Sequence, residues 1–380
     1  MMNFYLIAGE YSGDFIGSKL MMSIMDNSQE ELKFNGIGGT LMAKAGLKSL
    51  FPIQEINLMG FLEILPHIFR IKKLIDKTVD DIIAKNPKVV ITIDSPGFTY
   101  RVAKEVKKIA PHIKLIHIVA PSVWAYKPSR AKKYAKVYDK LLTMLPFEPD
   151  YFIKEGLSSE FVGYFALEQH FYRGSIKLRK ELNISDDVKV IAITPGSRPG
   201  EILRHMPIIR ESLDRITLTH NIKVIFIQPN DTNIQLISKF LSGAKFNYIF
   251  STDRLKAFAV SHCALAKSGT NTLEISASNT PMIIGYKLNP ISFLLLRMMI
   301  KVKFASIVNI IAGREVIPEY IQSDFTVNNI VLALSELISN SKKTSSQLQQ
   351  VTKILNSIGL NWQETPSQKA AKIIINYLKQ

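Results

Sequence analysis

Apolar residues in this chain come in short runs, separated by stretches with helical spacing. Residues 3–8 (NFYLIA), 33–37, 89–93, 114–119 and 140–144 are short and apolar enough to be buried strands. Between them, 14–25, 68–84 and 100–109 repeat their apolar positions with the period of a helix. Strand and helix in alternation predict a parallel sheet with helices on both faces. The pattern breaks at 164–173, after a strand-like 160–162. It restarts at 189–194, 223–227, 247–249, 264–266 and 282–285. The fold class expected is therefore α/β, with two doubly wound domains facing each other across a cleft. The first domain is placed at 1–165 and the second at 175–355. The tail, 366–380, holds a short amphipathic helix with Ala370, Ile373, Ile374, Tyr377 and Leu378 on one face. It must pack on something, either the first domain or a partner subunit.

Two segments interrupt the pattern by being unusually apolar and basic at once. They are 56–75 (INLMGFLEILPHIFRIKKLI) and 291–304 (ISFLLLRMMIKVKF). Each is either a core helix with a solvated basic edge or a stretch that lies in a membrane interface. Charge sharpens the second reading, since 48 Lys and Arg against 32 Asp and Glu give a net +16. Such an excess favours anionic partners: phosphorylated substrates, an anionic membrane surface or nucleic acid. With no zinc-finger pattern, RNP-like motif or long basic tract, nucleic acid is excluded as the expected partner. The single Cys263 forbids an intrachain disulfide and fits a reducing compartment. No secretory signal is expected, because a polar turn interrupts the first apolar run. No stretch has the ~18 uninterrupted apolar residues of a membrane-spanning helix.

Candidate chemistry sits where predicted strands end. After 3–8 comes Gly9-Glu10-Tyr11-Ser12-Gly13-Asp14, which holds two carboxylates and a hydroxyl at the edge where open α/β sheets bind ligands. A simple helix cap is the alternative. Asp94, in IDSPGF (93–98), ends a buried strand as a structural acceptor or as a general base. Trp124 and Tyr126, in APSVWAY (120–126), either wall a pocket or fill core. In the second half, Gly196, Ser197 and Arg198 open a helix after a strand, an arrangement suited to a phosphate. Ser268, Gly269 and Thr270 repeat it, with Glu274 one turn in and suited to a ribose hydroxyl pair. Cap and macrodipole roles are the alternatives. The P-loop spacing is absent, and no His, Cys or carboxylate cluster has metal-ligand spacing. No metal and no cofactor are expected.

Taken in order, these stretches resemble the lipid-A-disaccharide synthase family. AGEYSGD (8–14), GIGG (36–39), MGFLEIL (59–65), IDSPGF (93–98), APSVWAY (120–126) and LPFE (145–148) carry the resemblance in the first half. PGSR (195–198), SGTNTLE (268–274), GYKLNP (285–290) and NIIAGREVIPEYIQ (309–322) carry it in the second. The resemblance implies a GT-B-type fold of two Rossmann-like domains, the first completed by helix 366–380. It implies an inverting hexosyltransferase that joins UDP-2,3-diacylglucosamine to 2,3-diacylglucosamine 1-phosphate, forming a β-1,6 linkage and releasing UDP. It places the enzyme at the cytoplasmic face of the inner membrane, with a homodimer by exchange of the C-terminal helix as one assembly it allows. The uridine nucleotide falls to the second domain, with Asn309 and Gln322 joining the two phosphate turns. The acceptor falls to the first, with Ser12, Ser122 and Trp124 in its pocket. Met59, Phe61, Ile64, Leu65, Ile68 and Phe69 become the membrane contacts. The family's second acid in IDxPDF is Gly97 here, and the histidine of its GHP is Tyr164.

The mechanism this implies is a single in-line displacement. Asp94 takes the proton of the acceptor's 6-hydroxyl, and Glu10 or Asp14 orients that hydroxyl or shares the base role. Arg198, the N–H groups of 268–270 and Asn309 face the leaving phosphate. The rivals are a UDP-sugar 2-epimerase on the same scaffold and a weakened nucleotide- or lipid-binding homologue.

Overall fold

The computed structural model describes residues 2–56, 68–172, 176–185, 187–228, 231–269 and 271–379. The chain divides into two compact units, Met1–Glu168 with Asn361–Gln380, and Gln169–Leu360.

The first unit is built on seven parallel strands: β1 (Met2–Ala8), β2 (Leu32–Ile37), β3 (Lys48–Ser49), β4 (Val89–Ile93), β5 (Lys114–Ile118), β6 (Lys140–Thr143) and β7 (Ser158–Phe161). Their order is β3-β2-β1-β4-β5-β6-β7. The chain steps outward from β1 to β2 and β3, then returns to lay β4 against the other side of β1. That reversal leaves a crevice between the C-terminal ends of β1 and β4.

β1 shows why the sequence folds this way. Tyr5 and Ile7 pack into one core with Leu74, Ile75 and Val102. Phe4, Leu6 and Ala8 pack into the opposite core with Leu20 and Ile24. A strand covered on both faces must be apolar at successive positions, which is the pattern the sequence carries.

The tail helix, Pro366–Lys379, completes the second of these cores. Ala370, Ala371, Ile374, Ile375 and Leu378 are buried beside Leu20, Met21 and Ile24 of the helix Tyr11–Asp26. The buried face is turned slightly from the one read off the sequence: Ile373 and Tyr377 pack only at its rim. Its start is pinned by Glu168, whose carboxylate accepts from the Ser367 N–H and hydroxyl, both at 2.7 Å. Ser23 Oγ donates to Ser367 Oγ at 2.9 Å.

The second unit repeats the scheme with β8 (Lys189–Thr194), β9 (Ile222–Ile227), β10 (Asn247–Ser251), β11 (Cys263–Ala266), β12 (Met282–Tyr286) and β13 (Glu319–Ile321). The order β10-β9-β8-β11-β12-β13 is again all parallel, with the reversal between β8 and β11. The strands β3 and β13 were not anticipated. Each has only two or three residues and none is fully buried, so neither leaves an apolar run to detect. Among the described residues no helix is long and apolar enough to cross a membrane.

If the tail helix is core to the first unit, Ile374→Ala should lower its unfolding free energy by about 2–5 kcal/mol. Leu332→Ala, at a side chain 70% exposed, should stay within about 0.5 kcal/mol. Urea denaturation measures both, and a neutral Ile374→Ala would contradict the packing.

Candidate active site

In the first unit the reversal between β1 and β4 brings Gly9, Glu10, Asp94 and Ser95 together. Gly9 is required there, since a Cβ at this position would lie 2.3 Å from the Ser95 side chain. Backbone strain marks the same edge, with Asp94 at φ 52° and Ser95 at φ 47°. On the neighbouring strand end, the β-branched Val119 sits at φ 76°. This conformation is held by the Asp94 N–H donating to Ile118 O (3.0 Å) and the Thr99 hydroxyl donating to Asp94 O (2.6 Å). One carboxylate oxygen of Asp94 accepts from the Ser95 N–H at 2.7 Å. Ser95 Oγ in turn donates to Glu10 at 3.4 Å.

Both acids are more basic than ordinary carboxylates. Burial pushes Asp94 up, and the Ser95 N–H only partly offsets it. Burial also raises Glu10, and the neighbouring charge of Asp94 raises it further. Two acids that disfavour each other's charge behave as a coupled pair that binds a proton readily.

Asp14 is different. It is 3% exposed, and its oxygens accept from the N–H groups of Gly39 (2.8 Å), Leu41 (3.0 Å) and Met42 (3.0 Å). These bonds cap the short helix Thr40–Lys44 and fix the Asp14 carboxylate at its N-terminus. Asp14 was the alternative to Glu10 for orienting the acceptor hydroxyl; of the two, Glu10 is the one joined to Asp94 through Ser95. Gly97 is exposed, and a Cβ there would meet nothing within 4 Å.

Ser12, in the helix after β1, and Ser122, after β5, are exposed, and Trp124 is half-buried. Trp124 is locked in place: its indole N–H donates to Glu148 at 3.0 Å, and its ring meets Phe147 edge-on at 5.4 Å. Glu148 is 4% exposed and also accepts from the Leu145 N–H at 3.0 Å. Burial pushes its carboxyl up to about 7, against the pull of the Trp124 and Leu145 donors. Glu148 was visible only as the last letter of LPFE. Nothing in the sequence tied it to a tryptophan 24 positions away.

In the second unit the matching crevice lies between β8 and β11. Gly196 sits at φ 139°, and Ser197 and Arg198 are exposed. The N–H groups of Ser197 (2.9 Å) and Arg198 (3.3 Å) are not open to a ligand, because both donate to Glu201. At this turn the Arg198 side chain is exposed beyond these N–H groups. Glu201 also accepts from the Lys267 ammonium (3.0 Å) and the Tyr286 hydroxyl (3.1 Å). Burial would raise its carboxyl, but Lys267 and these donors outweigh that and hold it at about 2. Lys267 also donates to Ser197 Oγ at 3.0 Å, so it ties the two turns together across the crevice. His205 braces them from below. Its Nε2 accepts from the Lys287 N–H (3.0 Å), which leaves Nδ1–H to donate to Pro195 O (2.7 Å).

On the β11 side, Ser268 Oγ donates to Ala305 O at 2.8 Å, and Gly269 sits at φ 158°. Thr270 lies outside the described residues. Glu274 is gripped by Arg254 through two bonds, at 2.6 and 2.8 Å, and also accepts from Gln169 Nε2 at 3.3 Å. Asn309 is fully buried, and its amide donates to Ile317 O and Glu319 and accepts from the N–H groups of Val316 and Ile317, all between 2.8 and 2.9 Å. Gln322 accepts from the Leu288 N–H at 2.7 Å. Both hold loops together, and Asn309 has no donor left for a phosphate.

Of the expected membrane contacts, Met59, Phe61, Ile64 and Leu65 lie outside the described residues. Ile68 begins the helix Ile68–Lys85, and Phe69 beside it is 83% exposed, next to exposed Arg70, Lys72 and Lys73.

The sequence model of the family described as lipid-A-disaccharide synthetase matches residues 4–374. The lipid-A-disaccharide synthase of Rickettsia felis is 53% identical over 376 residues, which cover 98% of this chain and 96% of that protein. That of Rickettsia prowazekii is 53% identical over 377 residues, covering 98% and 99%. Among solved structures, a UDP-N-acetylglucosamine 2-epimerase from Rickettsia bellii matches with TM-score 0.63 at 17% identity, covering all of this chain and 97% of its own. A glycosyltransferase from Rickettsia africae matches with TM-score 0.59 at 13% identity, covering 100% and 99%. At such identities the structural matches establish a shared fold of two parallel-sheet α/β domains, and the epimerase likeness goes no further. Sequence identity along nearly the whole length is decisive: this chain belongs to the lipid-A-disaccharide synthase family of glycosyltransferases.

Proposed function

We propose that this protein transfers the diacylglucosaminyl group of UDP-2,3-diacylglucosamine to the 6-hydroxyl of 2,3-diacylglucosamine 1-phosphate. The observation that carries the chemistry is the coupled, half-buried pair of Asp94 and Glu10 at the β1/β4 reversal, in a chain of this family. Asp94 accepts the proton as the hydroxyl oxygen attacks the anomeric carbon. The bond from that carbon to the UDP oxygen breaks on the opposite face, and its electron pair leaves with UDP. One displacement inverts the carbon and gives the β-1,6 linkage. Burial makes Asp94 a better proton acceptor than a solvated carboxylate, and Glu10 orients the hydroxyl through its link to Ser95.

The uridine diphosphate is assigned to the β8/β11 crevice. Arg198 is exposed there and free to fork onto a phosphate. Lys267, already at the turn, supplies a second positive charge, and Ser268 and Gly269 line the other side. Glu274, held by Arg254, keeps lone pairs for a ribose hydroxyl pair. Trp124, fixed by Glu148, offers a flat apolar wall to the acceptor, with Ser12 and Ser122 as polar neighbours. The exposed Phe69 and its cationic neighbours fit peripheral attachment to the inner membrane's cytoplasmic face, where both acylated substrates reside.

Asp94→Asn should lower acceptor-dependent UDP release by roughly 10²–10⁴-fold with an unchanged circular dichroism spectrum. A loss below about tenfold would remove Asp94 from the base role. The acid limb of kcat/KM should lie above the ordinary carboxylate range near ~4, because the rate falls as the pair takes up its proton. Arg198→Ala should weaken inhibition by UDP roughly 10–100-fold, the worth of a charged hydrogen bond; unchanged inhibition would contradict a phosphate contact.

Glu148 generates a pH test of its own. Its folded-state pKa is raised to about 7, so folding favours the protonated acid. Its stabilising contribution is complete below the unfolded value near ~4.5, declines as pH rises, and levels off above about 7. Thermal unfolding of Glu148→Gln, which keeps an acceptor for Trp124, should lack this decline. An identical pH profile in wild type and variant would contradict the assignment.

A further inference from the structure

The segment 290–304 leaves the second unit between two anchors that belong to the β8/β11 crevice. At its start, the Leu288 N–H donates to Gln322 (2.7 Å) and the Lys287 N–H to His205 (3.0 Å), while Arg204 Nε donates to Lys287 O (3.0 Å). At its end, Ala305 O accepts from Ser268 Oγ (2.8 Å), and the N–H groups of Ala305 and Ser306 both donate to Glu319 at 2.8 Å. The ends are thus tied to the residues that frame the nucleotide turns, while several side chains between them are exposed. The helix Pro290–Met299 and the residues after it leave Leu294 61%, Met299 42% and Ile300 39% exposed. Arg297, Lys301 and Lys303 are exposed alongside them. The whole stretch contains no Asp or Glu.

Large apolar side chains in water are costly, and cations without acids among them find no neutralising charge within the segment. An anionic lipid layer supplies both missing partners: acyl chains for Leu294, Met299 and Ile300, and phosphates for the three cations. A second copy of this chain is a poor occupant, because at +16 it would bring like charge to the same face. We propose that segment 290–304 is a lipid-contacting surface of the second unit, seating the nucleotide crevice against an anionic bilayer. It is separate from the contact assigned to Phe69 in the first unit. It rests on the proposed function in one respect: a nucleotide that carries acyl chains gives the crevice a reason to sit at a lipid surface.

The test uses the full chain and vesicles of phosphatidylcholine with phosphatidylglycerol, read by co-sedimentation. Wild type should bind, and more weakly as salt is raised. The variant Arg297→Gln, Lys301→Gln, Lys303→Gln should bind roughly 100-fold more weakly, as expected for three interfacial cations. The variant Leu294→Ser, Met299→Ser, Ile300→Ser should bind at least about tenfold more weakly. Both should keep UDP release within about twofold of wild type when donor and acceptor are dispersed in detergent micelles. Wild-type sedimentation by both variants overturns the proposal, as does failure of the wild type itself to bind. A change of oligomeric state in the apolar variant, seen by light scattering, also overturns it and assigns the face to a second copy. The micelle assay keeps the two readings apart: absent UDP release in wild type would sink the proposed function and leave the sedimentation result to decide the surface.

Discussion

A parallel sheet covered by helices on both faces has nowhere to present a side chain to a ligand except at its strand ends. That constraint organises both halves of this protein. β1 sends alternate residues into two separate cores, and every residue but Asn3 is buried. Polar chemistry is therefore pushed past Ala8 and past Ile93, to the one edge where the reversal of strand order opens a crevice. Glu10 and Asp94 meet there because β1 and β4 are neighbours, although they are far apart in sequence. The same rule puts Ser197 and Lys267 together between β8 and β11.

The two crevices use that position in opposite electrostatic senses. In the first unit burial raises the proton affinity of both acids, and the charge of Asp94 raises that of Glu10 further. In the second, Glu201 is surrounded by donors and a lysine, so it stays ionised and serves as the knot that holds both turns. Glu201 takes up N–H groups that would otherwise greet a phosphate. The charge available to a ligand then comes from side chains that reach outward, Arg198 above all. In the proposed transfer the first crevice supplies the base, and the second supplies the positive charge that meets the leaving diphosphate.

Much of this was legible beforehand, for reasons that differ by residue. The strands were readable because burial on both faces leaves continuous apolar runs. The placement of Glu10, Asp94, Arg198 and Ser268 at strand ends was readable because each comes within a few residues of such a run. The bonds of Asp14 and Asn309 were not readable, because a polar residue beside a strand end looks the same whether it faces outward or a buried backbone. Only the three N–H groups around Asp14 and the four partners of Asn309 tell the difference. The hold of Glu148 on Trp124 and of Arg254 on Glu274 stayed hidden because long-range side-chain pairing leaves no periodic trace.

The central claim is that the pair at the β1/β4 reversal drives one inverting transfer between two acylated sugars. It is tested most directly by following purified protein with UDP-diacylglucosamine, with and without acylated glucosamine 1-phosphate, and reading the anomeric configuration of the product by NMR. The expected result is UDP release only when the acceptor is present, and a β-linked disaccharide. Retained α configuration, or conversion of the UDP-sugar without acceptor, would contradict it.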